Sequence, residues 1–450
     1  MRIHFISIGG SIMHNLAIAL KLKGHDVSGS DDEIFEPAKS RLEAHGILPA
    51  KFGWDADRIQ PGMDAIILGM HARKENPELI RAQELELNMY SFPEYIYLNS
   101  THKTRVAIAG SHGKTTITSM VMHVMQKCNK NFDYMVGALV KGFEQGLKLT
   151  ENADCIILEA DEYLSSSINM EPKFLWYKPQ IALISGIAWD HMNVFPTFEI
   201  YVDQFRKFIK SMPDGSVLVY FRGDKLLVDI VHEFSHVKKI AYDLPNYVVE
   251  KNQFFIQSMD GKKHRMEVYG SHNMLNMEGA RQICAQLGIE HATFYQPIGD
   301  FSGAGKRLEK LIEKEDFIAF RDFAHAPSKV KATIEGIKDQ YPGRNLMACL
   351  ELHTFSSLNP GFIPLYEGSM AKADRKYVFI NQEAVKLKQL RLLSENEVIA
   401  AFGDPQLKLF YDREKLESEI RKNTFNNCVL LLMSSGDFAG LNLEDFVQNL

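Results

Sequence analysis

Arg105-Val106-Ala107-Ile108-Ala109-Gly110-Ser111-His112-Gly113-Lys114-Thr115-Thr116 runs from a short apolar strand into a glycine-bearing turn, and a helix-like stretch, Ile117 to Met125, follows. A turn of this kind aims backbone N–H groups and a helix N-terminus at a bound phosphate. Lys114 would reach the β- and γ-phosphates, and the Thr115 hydroxyl would sit on Mg²⁺. Ile108 stands where the P-loop pattern has its first glycine, so the strand before and the helix after carry the reading. The chain is expected to handle a nucleoside triphosphate.

Outward from this turn, the chain alternates strand and helix. Upstream, Ile3 to Ile8 reads as a strand, Gly9-Gly10-Ser11 as a turn, Ile12 to Leu22 as a helix, and His25 to Gly29 as a second strand. Ala65 to Leu68 is a further, fully apolar strand. This alternation predicts a parallel, Rossmann-like sheet. The G-x-G-x-x-G fingerprint is absent, but Asp31 lies about 20 residues beyond the turn, where a ribose-binding acid would sit. Tyr95 to Thr104 reads as a polar linker. Downstream, Cys155 to Leu158 ends in Glu159-Ala160-Asp161-Glu162, and Ile181 to Ile184 leads to Trp189-Asp190-His191-Met192-Asn193. Both clusters fall past carboxyl ends of strands, where open α/β sheets bind ligands. Glu159 is a hard oxygen ligand for Mg²⁺ and His191 a candidate for a second cation. From about Phe301, strands at Phe317 to Arg321, Leu346 to Leu350, Tyr377 to Ile380, Leu407 to Tyr411 and Val429 to Met433 alternate with helices such as Ser328 to Gln340 and Glu395 to Phe402.

The expected fold is therefore α/β in three domains: a Rossmann-like domain over 1–98, a central P-loop-type ATPase domain over 99–300, and a Rossmann-like domain over 301–450. The 450 residues, 45% hydrophobic and 24% charged with a net charge of −6, have the composition of a globular protein. No basic stripe points to nucleic acid. No apolar run is long enough for a membrane span. The start of the chain lacks a signal-peptide pattern, and the five cysteines are scattered without a C-x-x-C. They read as reduced thiols of a cytoplasmic protein.

Gly110 to Thr116, Glu159-Ala160-Asp161-Glu162, Asp190-His191, Gly270-Ser271-His272-Asn273-Met274-Leu275-Asn276 and Asp322-Phe323-Ala324-His325 together resemble the Mur ligase family, in its order and over nearly the whole chain. The resemblance implies an ATP- and Mg²⁺-dependent ligase of peptidoglycan metabolism. ATP would phosphorylate the lactyl carboxylate of UDP-N-acetylmuramate, and an amine would attack the acyl phosphate. It further implies Gly110, His112, Gly113, Lys114, Thr115 and Thr116 on the phosphates, and Thr115, Glu159 and His191 on metal. Asn276 would meet adenine, and Arg307 and Asp322 the nucleotide across a closing cleft. His325 would lie near the reacting groups, with Lys114 and His191 as catalytic residues. Gly10, Ser11 and Asp31 would hold the UDP-sugar.

Gly29-Ser30-Asp31, Phe35-Glu36-Pro37, Ser271 to Met274 and Met433 to Gly440 resemble the family's recycling branch. Its acceptor is the tripeptide L-alanyl-γ-D-glutamyl-meso-diaminopimelate; free L-alanine, the biosynthetic acceptor, is the alternative. Two stretches depart from the pattern. Tyr201 to Phe205 lacks the lysine that many members carbamylate, Lys207 lying beyond it. Glu351-Leu352-His353-Thr354-Phe355-Ser356-Ser357 replaces a Glu-Pro-Arg-Ser-like segment where the incoming amine would be read. Two readings from other classes remain. His232-Glu233-Phe234-Ser235-His236 matches the H-E-x-x-H zinc-peptidase motif, and a nucleotide-binding module without catalysis would keep the same turn.

Overall fold

The structure is a computed structural model, and it describes the whole chain except His71, Ser167, Ile168, Asp190, His191, Asn193, Asn252, Met259, Ala304 and Lys306. The chain divides into two compact units: Met1–Ile187 with Val202–Tyr242 and Gly279–Glu290, and Ala188–Tyr201 with Asp243–Glu278 and His291–Leu450.

The first unit holds two sheets. One has four parallel strands in the order Asp26–Ser30, Arg2–Ile6, Ala65–Leu68, Met89–Ser91. The other has seven: Lys238–Tyr242, Val217–Phe221, Ile181–Ile184, Thr104–Ala109, Cys155–Glu159, Phe132–Met135 and Leu147–Lys148. Only the last runs antiparallel to its neighbour. Val106 to Ala109 and Ile181 to Ile184 are buried throughout, as strands covered on both faces must be. Gly146 N–H bonds Asn15 Oδ1 at 3.0 Å, and Lys23 pairs with Glu151 at 2.5 Å, so the helix Ser11–Leu22 is tied to the edge of the larger sheet.

The second unit holds a six-stranded sheet in the order Glu309–Glu313, Phe317–Asp322, Cys428–Met433, Asn345–Leu352, Arg375–Ile380, Lys408–Phe410, parallel but for the first strand. Alternate residues of the four inner strands serve two cores. Ile318, Phe320, Leu350 and Leu431 face one, and Phe317, Ala319, Cys349 and Leu430 the other. That is the doubly wound arrangement expected from the alternation.

Two local readings need correction. Tyr95 to Leu98 belongs to a helix, Phe92–Leu98, whose start is fixed by Glu94 accepting the Ser91 N–H at 3.3 Å, so only the residues after it are linker. An antiparallel sheet, Tyr247–Glu250, Gln253–Gln257 and Lys263–Met266, was not foreseen. The five cysteines are free thiols. Among the described residues, no helix is long and apolar enough to cross a membrane.

Candidate active site

Because Thr104–Ala109 pairs in parallel with Cys155–Glu159 on one side and Ile181–Ile184 on the other, the turns after all three strands share one sheet edge. Gly110 leaves the central strand at φ +112°, and Gly113 caps the helix Lys114–Lys127 at φ +71°. Both angles favour glycine. The turn is pinned from the next strand end. Ser111 N–H donates to Gly186 O at 3.0 Å, and the Ser185 hydroxyl donates to the His112 carbonyl. Asp224 fixes that neighbour by accepting from Ile187 N–H at 2.7 Å while capping its own helix through Leu227 N–H.

Three side chains converge beyond the turn. Lys114 Nζ lies 2.7 Å from Glu162 Oε2 and donates to Gly110 O at 2.8 Å. Glu162 is 1% exposed, so this is a desolvated ion pair. Burial pulls the ammonium pKa down, but Glu162, Asp161 and Glu159 outweigh it and hold the pKa above the usual lysine value. Thr115 Oγ1 donates to Glu159 Oε1 at 2.6 Å, and the other Glu159 oxygen accepts Gly137 N–H at 2.7 Å. Two hard oxygens this close suit Mg²⁺, which takes one or two protein oxygens and completes its octahedron with phosphate and water. Thr116 is buried one position further along the helix.

In the smaller sheet of this unit, Gly10 precedes the helix Ser11–Leu22 with no side-chain cap. Gly10 and Ser11 are exposed there, leaving the helix N-terminus open to an anion. Asp31 is buried and accepts Gly9 N–H at 2.8 Å.

In the second unit, Asp322 Oδ2 accepts Leu308 N–H at 2.6 Å, while Oδ1 accepts from Ala324 N–H and the Thr333 hydroxyl. Arg307 lies over the Phe323 ring at 4.2 Å, and His325 Nδ1 is 2.9 Å from the Phe323 carbonyl. These three candidates are thus brought to one strand end. Asn276 sits on the helix Ser271–Gln286, bonded to Asn273, and one turn earlier the buried His272 Nδ1 meets no hydrogen-bond partner among the described residues.

The Glu351 to Ser357 segment leaves the same sheet. Glu351, 2% exposed, accepts from the Ser434 hydroxyl and from Phe438 N–H at 2.9 Å. Burial pushes its carboxyl pKa up, and these donors only partly offset that. A carboxyl whose folded pKa is raised favours the fold when protonated, and the penalty grows as pH rises from the unfolded value through the folded one. Glu351→Gln keeps an acceptor oxygen and removes the charge. Its melting temperature relative to the parent is expected to climb between pH 4 and pH 8. A difference that is flat or falls across that range in thermal melts would refute this.

Asp190 and His191 lie outside the described residues. Lys207 pairs with Asp203 at 3.0 Å, both about half exposed. The zinc-peptidase reading fails on geometry: the helix ends at His232, Glu233 is forked onto Arg206, and the His236 ring bonds the Ile209 carbonyl. Glu162, Ser185 and Asp224 were not singled out from sequence. Glu162 stood within the quoted acidic cluster, but only the fold shows it meeting Lys114.

Residues 2–101 match the model of the Mur ligase family catalytic domain, and residues 108–284 that of the Mur ligase middle domain. A UDP-N-acetylmuramate–L-alanine ligase of Caldicellulosiruptor bescii is 30% identical over 89% of this chain and 90% of its own. The UDP-N-acetylmuramate–L-alanyl-γ-D-glutamyl-meso-2,6-diaminoheptandioate ligase of Escherichia coli is 26% identical over 98% and 97%. The crystal structure of a UDP-N-acetylmuramate–alanine ligase from Thermotoga maritima superposes with a TM-score of 0.72 at 20% identity, covering 100% of this chain and 99% of that one.

Proposed function

The chain belongs to the Mur ligase family of ATP-dependent amide-forming ligases, and from that premise we propose that it joins UDP-N-acetylmuramate to L-alanyl-γ-D-glutamyl-meso-diaminopimelate through an acyl phosphate. The observation that carries the chemistry is the pair of contacts Lys114–Glu162 and Thr115–Glu159 at one sheet edge. A carboxylate is a poor electrophile, and phosphorylation by ATP supplies a leaving group. The peptide amine then attacks, and phosphate departs as the amide forms. Lys114, released from Glu162, neutralises charge on the transferring phosphoryl group, while the N–H groups of the 110–116 turn hold the phosphates in line. Thr115 and Glu159 would hold Mg²⁺, which supplies further charge neutralisation when bound.

The remaining roles follow the family. Asn276 contacts adenine. Arg307 meets the nucleotide, and Asp322 shapes its loop through Leu308. His325 lies near the reacting groups, and His191 serves a second cation. Gly10, Ser11 and Asp31 hold the UDP-sugar.

The tripeptide acceptor is supported by the Escherichia coli relative, which aligns over 98% of this chain. L-alanine is the second reading, favoured by the higher identity of the Caldicellulosiruptor relative. ADP release with ATP, Mg²⁺ and UDP-N-acetylmuramate, compared between the two acceptors, separates them. Release with the tripeptide alone is expected. Release with L-alanine at equal or greater kcat/KM would move the enzyme to the first step of stem-peptide synthesis. Release with neither would favour a binding module.

A further inference from the structure

The least expected group in the first unit is Glu78, a carboxylate with no exposed surface. It lies in the first turn of the helix Pro77–Glu84, where Asn76 caps its N–H at 2.9 Å. Four groups from three segments reach it. Oε1 accepts Asp55 N–H at 2.9 Å and faces Arg58 Nη1 at 3.4 Å. Oε2 accepts the Ser30 hydroxyl and faces His4 Nε2 at 3.4 Å. Burial pushes the carboxyl pKa up, yet His4, Ser30 and the Asp55 N–H together bring it below the usual glutamate value.

Such a group is costly to bury, and an apolar replacement of similar volume commonly serves stability as well. What the carboxylate does here is fix a position. Ser30 is the last residue of its strand and directly precedes Asp31. Arg58 also donates to Gly53 O at 2.7 Å and Lys51 O at 2.8 Å, and Gly53 N–H donates to the Asp31 carbonyl at 2.8 Å. Asp31 is therefore gripped through its chain neighbour on one side and through the 51–58 loop on the other. Its own carboxylate then meets Gly9 N–H at 2.8 Å, where a Cβ on Gly9 would come within 2.9 Å of Asp31 Oδ2.

We propose that Glu78 is a positioning residue for the UDP-sugar site, holding Ser30, Arg58 and the 51–58 loop so that Asp31 closes on the turn at Gly9. This rests on the reading of Gly10, Ser11 and Asp31 as UDP-sugar ligands. Glu78 touches no ligand in this scheme; it acts through Asp31.

Glu78→Gln keeps the size and an acceptor oxygen but loses the charge that draws Arg58 and His4 together. The variant is expected to raise KM for UDP-N-acetylmuramate about tenfold, inside the hundredfold that an ångström of misplacement can cost. Its kcat and its KM for ATP should stay within twofold of the parent. Ser30→Ala, which removes one hydroxyl, should shift the same constant in the same direction by a smaller factor. It carries the test alone if Glu78→Gln does not fold. A purely structural role would lower the melting temperature and leave KM for UDP-N-acetylmuramate within twofold in the folded variants, and that result overturns the proposal. Titration of the unmodified chain with UDP-N-acetylmuramate distinguishes the other failure. If it binds ATP but not the UDP-sugar, the reading of the first sheet falls, and the role of Glu78 with it.

Discussion

Lys114→Ala is expected to lower kcat for ATP-dependent ligation by about 10³-fold, the scale of losing one preorganised positive group on a transferring phosphoryl. The single variant also disturbs the fold. Glu162 is 1% exposed and Lys114 15% exposed, so removing the lysine takes the ammonium at 2.7 Å away from a buried carboxylate. Breaking such a pair costs about 3–5 kcal/mol. A dead enzyme with a depressed melting temperature would not separate catalysis from stability. The double variant Lys114→Ala/Glu162→Gln does, because the neutral amide no longer needs a counter-charge. It is expected to recover most of the lost melting temperature and none of the turnover. ADP release and thermal melts on the parent, both single variants and the double variant complete the cycle. Turnover by the double variant within tenfold of the parent would remove Lys114 from the phosphate site.

The Lys114–Glu162 contact also shows what was hidden in the sequence. The strands Ala65–Leu68 and Ile181–Ile184 were legible to the residue, because each apolar run is too short for a helix and is bounded by polar or glycine residues. The glycine turn between strand and helix was legible for the same local reason. Glu162 was not, since its partner lies 48 residues away, and neither was Ser185, 73 residues from His112. These pairings depend on Thr104–Ala109 lying between Cys155–Glu159 and Ile181–Ile184. No local pattern states that order. Glu78 is a similar case, 48 residues from Ser30. Lys263–Met266 escaped notice because three of its four residues are polar, leaving no alternation to mark a strand. The H-E-x-x-H motif misled in the opposite direction. Its spacing suits one helical face, but the helix stops at His232 and the second histidine lies past the end.

Gly110→Ala tests the turn itself, and it is expected to cost about 4 kcal/mol of stability together with nucleotide binding. Two terms of about 1–3 kcal/mol each contribute. The first is conformational: φ at Gly110 is +112°, which an L side chain adopts only under strain. The second is steric. A Cβ built there would lie 2.4 Å from Ser185 Oγ and 2.6 Å from the Ser185 backbone nitrogen. The hydroxyl can rotate away, but the nitrogen cannot, because it donates to Ala109 O within the sheet edge. Relief must come from the turn, which moves the N–H groups proposed to hold phosphate. The Ser185 hydroxyl would lose the His112 carbonyl in the same motion. Relieving the hydroxyl contact alone, by Ser185→Gly in the Gly110→Ala background, should restore little, since strain and the backbone contact remain. Denaturant unfolding and ATP titration on both variants measure the two losses. A Gly110→Ala chain that keeps its stability within 1 kcal/mol and binds ATP like the parent would mean that the turn is not held against Ser185 in this way.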